Sequence, residues 1–449
     1  MVVGAGAVGM AFADSLVTDS AAEIVIVDRR HAPGGHWHDA YPFVRLHQPA
    51  MYYGVNSMPL GADTIDEHGL NAGLYVQASA PEICAYYDRV MRERLLPSGR
   101  VRYFPMSEYD ERGRFVSRLT GDVWDVTARR AVVDAHYLEP SVPRTSPPPF
   151  DVDPGVAWVP VGDLAHMADS VDRYVIHGAG KTAVDACLWL LEMGLEPDAI
   201  TWVRPRDAWL LNRHFTQCGS LVGQLIEGLS LQVEAAAQAD SPEDLFRQLA
   251  DREQLLRVDE NVTPTVFRSP TMSTAELMQL RRITDVVRLG YVRRIESTRI
   301  VLDEGTVPTS PRALHIHCAA AGVNPAPAVP IFQPGRITPQ SIRTGVAPFN
   351  AALAAYIEAT RDDPAEKNRL CPPNKLPETS MDWIRGILTT MDADRAWSKE
   401  PDIAAWLERS RLNPSRDLPQ YAREPRTQEA MTRFVTNVRP AISNLRAWS

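Results

Sequence analysis

The sequence predicts an α/β protein carrying two Rossmann-like dinucleotide-binding units. Three observations predict it. Gly4-Ala5-Gly6-Ala7-Val8-Gly9 is a Gly-x-Gly-x-x-Gly loop between an apolar strand end and a helical run. Gly178-Ala179-Gly180-Lys181-Thr182-Ala183 repeats the pattern, with alanine as the accepted third small residue. A β-branched strand follows the helix of each loop, at Ile24–Val27 and at Ala199–Val203. One such loop is a weak signal; two in one chain point to two bound dinucleotides and hydride transfer between them.

At 449 residues the chain exceeds what one compact core supports, so two or three domains are expected. Apolar residues make up 45 % of it, a globular composition. A formal charge of −9 disfavours broad binding to nucleic acid or to an anionic membrane surface. No run of about 18 apolar residues occurs, so no transmembrane helix is expected. Met1-Val2-Val3 enters the first glycine without a basic and apolar leader, which predicts a cytoplasmic protein. So abrupt a start means that the first strand is short or that the true start lies upstream. Cys84, Cys187, Cys218, Cys318 and Cys371 are scattered and odd in number. They predict buried free thiols, with no disulfide framework, no metal site and no redox dithiol.

In the first unit Gly4 permits a tight turn, Gly6 lets backbone approach a pyrophosphate, and Gly9 lets helix and strand pack closely. The helix N-terminus then favours the phosphate charge. Asp28, followed by Arg29, ends the next strand 19 residues past Gly9, where a ribose carboxylate is expected.

In the second unit Asp172–His177 is the strand, and Ala183–Leu191 the body of a helix that Gly194 closes. The following strand ends not in an acid but in Arg204-Pro205-Arg206. Guanidinium pairs with a 2′-phosphate that a carboxylate would repel, so NADPH is expected rather than NADH. Gly180-Lys181-Thr182 is not a phosphate-binding Walker loop, since that spacing needs glycine at Val175. Lys181 is still expected near phosphate, as a point charge.

His31-Ala32-Pro33-Gly34-Gly35-His36-Trp37 resembles the Gly-Gly-x-Trp stretch of class B flavoprotein monooxygenases: the flavin-containing, Baeyer–Villiger and N-hydroxylating enzymes. Val203-Arg204-Pro205-Arg206-Asp207-Ala208-Trp209 is similar to that family's Arg-x-x-x-Trp strand end, so the resemblance covers both units. It implies FAD on the first loop, with Gly34, Gly35 and Trp37 along the flavin, and NADPH on the second. Ala313–Gly322, a strand ending in small residues at Ala321 and Gly322, looks like the return to the flavin sheet. Ile337–Arg343, containing Gln340, with the helix over 350–358, resembles the C-terminal flavin-binding helix.

The resemblance therefore implies a discontinuous FAD domain, 1–154 and 311–360, with an NADPH domain inserted at 155–310. A Pro-rich crossing, Pro140 to Pro154, joins them. Residues 219–290 read as a helical insert, from the spacing of Val222, Leu225, Ile226, Leu229 and Val233 and, more loosely, Leu277, Leu280, Thr284 and Val287. Residues 361–449 read as a helical tail that caps the flavin site or forms a homodimer contact.

The family forms a flavin C4a-peroxide that oxygenates a nitrogen, sulfur or carbonyl carbon of a small organic substrate, using O2. The sequence departs from its Phe-x-Gly-x-x-x-His-x-x-x-Trp/Tyr fingerprint: Gly155–Asp163 lacks the histidine at that spacing. An NADPH reductase or oxidase that inserts no oxygen, and a non-catalytic flavin-binding relative, stay open beside a monooxygenase. Arg45-Leu46-His47-Gln48-Pro49 occupies the place of the family's active-site Asn or Asp, so Gln48 is a candidate donor beside the flavin. Arg45 and His47 are candidates to orient NADPH or substrate.

Overall fold

The structure is a computed structural model that describes residues 1–167, 170–320, 322–323 and 326–449. Its first sheet has six strands in the order Phe332–Gln333, Arg336–Ile337, Val132–Asp134, Val2–Val3, Ile24–Val27, Val101–Phe104. All neighbours run parallel except the first pair. Strands covered on both faces must be apolar throughout, and Ile24 and Ile26 are buried on one face and Val27 on the other. The helix Ala7–Asp19 crosses from Val2–Val3 to Ile24–Val27 and packs along the helix Ala347–Thr360. Met10, Ala11, Phe12 and Ala13 are buried on the first, and Pro348 through Ile357 on the second. A helix apolar all round lies within the core, and the many alanines let the two backbones approach.

The second sheet has five parallel strands in the order Trp158–Pro160, Ala313–His317, Arg173–His177, Ile200–Val203, Val286–Val287. Here one expectation is corrected. Ala313–His317 does not return to the first sheet; it lies between two strands of the second, with all five residues buried. The chain rejoins the first sheet only at Phe332–Ile337. Between the sheets, Gly322–Val323 runs antiparallel to Pro140–Ser141, so the two crossings lie side by side.

The insert is helical over Val222–Gln238 and Pro242–Asp251, but it also carries strands. Leu255–Leu256 and Val266–Met272 flank Ala208–Asn212 in a small sheet. The looser periodicity was misleading at its end: the helix stops at Leu280, and β-branched Val286–Val287 joins the edge of the second sheet. Trp209, Phe246 and Phe267 of this region meet Trp383 of the tail in one aromatic cluster. The last helix, Pro425–Trp448, lies along Val222–Gln238. Arg411 of the tail donates to the carbonyls of Met51, Tyr53 and Val55 at 2.7–2.9 Å, which fastens the tail over the first unit.

Candidate functional site

The first glycine loop is built as its spacing demands. A Cβ on Gly9 would stand 1.9 Å from the Gly4 carbonyl oxygen, and Gly4 itself has φ +107°. Gly6 begins the helix Ala7–Asp19 with no side-chain cap and no acid in the first turn, which leaves amides for an anion. The Asp28 carboxylate, 1 % exposed, accepts from the amides of Ala5 (2.5 Å) and Arg30 (2.7 Å).

Gly34 and Gly35 close over this loop. Both are left-handed, the Gly34 amide donates to the Ala5 carbonyl at 2.9 Å, and a Cβ on Gly35 would meet the Gly6 Cα at 2.9 Å. Trp37, two residues on, donates its indole N–H to Tyr53 Oη at 2.8 Å. Burial, with Arg30 nearby, lowers the neighbouring His36 to about 4.

The carboxyl ends of neighbouring first-sheet strands carry buried polar atoms that no described residue satisfies. His136 Nε2 follows Val132–Asp134, and its ring abuts Gly4. Thr338 Oγ1 follows Arg336–Ile337, and Gln48 Nε2 is likewise unpartnered. Buried donors and acceptors are normally paired, so His136 and Thr338, at the ends of adjacent strands, fit a polar cofactor.

The second loop has the same construction. Gly178 has φ +142°, and a Cβ on it would stand 2.9 Å from the Cys318 carbonyl oxygen. The Trp202 indole holds the Gly178 carbonyl at 2.8 Å. Gly180 opens the helix Lys181–Glu192, again without a side-chain cap, and Ala183 is fully buried. Lys181 bonds Asp185 one turn on, and Asp185 Oδ2 also accepts from Tyr41 Oη at 2.6 Å. Burial pushes the Asp185 carboxyl up, against the pull of Lys181, and raises the Tyr41 phenol well above its ordinary value.

The two strand-end arginines part company. Arg204 is 2 % exposed, lies 4.4 Å over the Trp202 ring and pairs with Asp207 at 2.8 Å. Its Nε and Nη1 have no partner among the described residues. It lines a cavity of about 450 Å3 together with Asp259, Asn261, Arg281 and Arg288. Arg206 is exposed and lies over the Tyr291 ring.

Between the loops, the His47 carbonyl accepts from Thr271 Oγ1 (2.5 Å) and Arg213 Nε (3.3 Å). Arg213, fully buried, also pairs with Glu276 at 2.7 Å and reaches Asn71 at 3.1 Å. Burial, then Lys181 and Arg213, hold the His47 imidazole well below its ordinary value, so it is neutral.

The structure thus gathers Gly4, Gly6, Gly9, Asp28, Gly34 and Gly35 around one loop. Gly178, Gly180, Lys181, Thr182 and Ala183 form the other, and His47 lies near Lys181. Three expected side chains are occupied elsewhere. Arg45 is exposed and donates to the Gln77 carbonyl at 2.9 Å. Arg29 pairs with Glu139 at 2.6 Å. Gln340 is committed to the backbone of Val329. Gly322 is exposed in the crossing strand, and Ala321 lies outside the described residues.

Tyr41, His136, Asp185, Arg213, Glu276 and Thr338 were not foreseen. Asp185 carried a signal, as an acid on an otherwise apolar helix four residues after a lysine. Counted from Gly162, in the turn Val161–His166, His166 has the Gly-x-x-x-His spacing, with Pro160 and Ser170 at the outer positions.

Cys84, Cys187, Cys218, Cys318 and Cys371 are free. Among the described residues no cluster of potential metal ligands occurs, and no helix is long and apolar enough to cross a membrane.

Comparison with known proteins agrees with this construction. The model of the NAD(P)-binding Rossmann-like domain family matches residues 2–59. The uncharacterized protein Rv2000 of Mycobacterium tuberculosis is 48 % identical over 431 residues, which cover 96 % of this chain and 80 % of that protein. The uncharacterized protein Mb2023 of Mycobacterium bovis matches to the same extent. The chain belongs to the family of these mycobacterial proteins. Its fold is that of a steroid monooxygenase: an oxidized steroid monooxygenase bound to NADP superposes with a TM-score of 0.50 at 15 % identity, over 80 % of this chain and 84 % of that one.

Proposed function

We propose that the chain is an FAD-dependent oxidoreductase that takes hydride from NADPH and uses O2 to oxygenate a small organic substrate, at a heteroatom or beside a carbonyl carbon. One observation carries the reading. Two uncapped helix N-termini, each behind a glycine loop, are tied together by the segment 34–43. The monooxygenase with the same fold that binds NADP supports it.

FAD, when bound, would supply the hydride acceptor and the activation of oxygen. Gly4, Gly6, Gly9, Gly34 and Gly35 would let backbone reach its pyrophosphate, and Asp28 retains acceptor capacity for ribose hydroxyls. Gln48, His136 and Thr338 would gain partners for atoms now unsatisfied. Gly178, Gly180, Lys181, Thr182 and Ala183 would hold the NADPH pyrophosphate, and Arg204 its 2′-phosphate. The insert, clamped to the His47 segment through Arg213 and Thr271, would keep water from the space between the two cofactors.

The FAD-loaded protein should bleach on anaerobic addition of NADPH. On readmission of oxygen with a ketone, a thioether or an amine, NADPH consumed should equal oxygenated product for one substrate class. Stoichiometric hydrogen peroxide with every substrate would establish the oxidase reading instead. Absence of bleaching would remove both.

A further inference from the structure

We infer that the segment Gly34–Phe43 is a strap that couples the two dinucleotide sites, and that Tyr41 and Asp185 are the positioning residues that transmit the coupling. This rests on the two-dinucleotide reading above.

One end of the strap lies on the first loop. The Gly34 amide is bonded to the Ala5 carbonyl, and Gly35 lies against the Gly6 backbone. The other end lies on the helix of the second loop. Tyr41 Oη donates to Asp185 at 2.6 Å, and Phe43 stacks on Trp189 with ring centroids 4.8 Å apart and planes 13° from parallel. Lys181, Asp185 and Trp189 recur every four residues, so they share one helix face. The strap has no slack. Gly35–Asp39 is wound as a tight helical turn, and Trp37 is tethered to Tyr53 midway.

Asp185 is shared between an ammonium and a phenol. Lys181 is the first residue beyond Gly180, at the anion-binding end of the helix. A pyrophosphate arriving there competes for the Lys181 ammonium. Asp185 then loses its cation inside a buried site and depends on Tyr41 alone. The Tyr41 bond must strengthen or swing, and the strap carries that change to the backbone of Gly35 against Gly6. By linkage, occupancy of the first loop must affect the second by the same factor.

The test uses FAD-loaded wild-type protein, Y41F and D185N. The dissociation constant of FAD is measured with and without saturating NADP+, from the fluorescence of released flavin. That of NADP+ is measured by calorimetry on the FAD-loaded and FAD-free forms. In wild type both ratios should differ from one by the same factor, about fivefold or more for a typical coupling. In Y41F and D185N both should fall to about one. A merely structural role would weaken both affinities and leave the ratios unchanged, and that result overturns the inference. So does a wild-type ratio of one when both dinucleotides bind. If wild type binds neither, the functional reading fails and the coupling with it. Should Y41F not fold, isosteric D185N gives the same ratios independently.

Discussion

Gly9 and Gly180 are both glycines of dinucleotide loops, but the space around them differs. An added Cβ at Gly9 would meet the Gly4 carbonyl oxygen at 1.9 Å, whereas nothing lies within 4 Å of one at Gly180. Gly9→Ala must therefore push helix from strand. It is expected to yield a protein that keeps no FAD and is destabilised by at least the ~1–3 kcal/mol of an overpacked core, read as bound flavin and melting temperature. Gly180→Ala should melt as wild type yet bind 2′,5′-ADP more weakly, because the methyl group occupies the space its 5′-phosphate, standing where the pyrophosphate of the whole dinucleotide would begin, needs. A G180A protein that binds 2′,5′-ADP normally would show that this loop is not the anion site. Arg204 allows a third test. Asp207 keeps Arg288 at 3.0 Å when Arg204 is removed, so Arg204→Gln leaves no buried acid unpaired. The loss should fall on the 2′-phosphate alone. Binding of 2′,5′-ADP should weaken by about 10–100-fold, the range of a charged hydrogen bond, with binding of 5′-AMP unchanged.

Elements were legible in the sequence where local chemistry decides them, and obscure where a distant partner does. Both glycine loops and the helices that follow them come from spacing and turn chemistry, and the structure has each at the expected place. Ala313–His317 could be read as a buried strand, but nothing local says which of two parallel sheets it enters; that is set by Trp158–Pro160 and Arg173–His177 on either side. The partners of the candidate side chains were hidden for the same reason. Arg45 and Gln340 were expected at the cofactor on the strength of their position, yet each is spent on a backbone carbonyl. Arg213 is the converse case: no motif marks it, and it joins the insert to the first unit. Arg213→Met should destabilise by about 3 kcal/mol, the low end for a broken buried pair, because partly buried Glu276 loses its cation and the carbonyl of His47 a donor. R213M/E276Q should recover part of that loss, and urea denaturation of the two single variants and the double one measures the coupling. Equal stability of R213M and wild type would mean that the clamp contributes nothing.

At the scale of the whole molecule, the dependence of stability on pH is set by groups that folding strips of water. His177, His315 and His317 are each 1 % exposed, on two adjacent strands of the second sheet. His177 Nε2 lies 2.9 Å from His315 Nδ1, and one hydrogen bond between two imidazoles needs one donor and one acceptor. Burial lowers His177 well below its ordinary value of 6.5, brings His315 to about 4, and shifts His317 in the same direction. Unfolded, all three would titrate at the ordinary value. Between pH 6.5 and 4 the unfolded chain therefore binds more protons than the folded one, and stability rises with pH. The contribution is complete above 6.5 and is lost on acidification through this window, by up to about 1.4 kcal/mol per pH unit for each histidine. These residues lie directly beneath the second loop: His177 precedes Gly178, and His317 precedes the Cys318 carbonyl that Gly178 abuts. Three such imidazoles lie here, against His36 alone beside the first loop, so acid should loosen the second unit before the first. From pH 6.5 to 5, melting temperature and affinity for 2′,5′-ADP are expected to fall together while FAD stays bound. A flat melting temperature over that interval, or release of flavin ahead of any loss of 2′,5′-ADP binding, would show that these imidazoles do not control the acid limit of the fold.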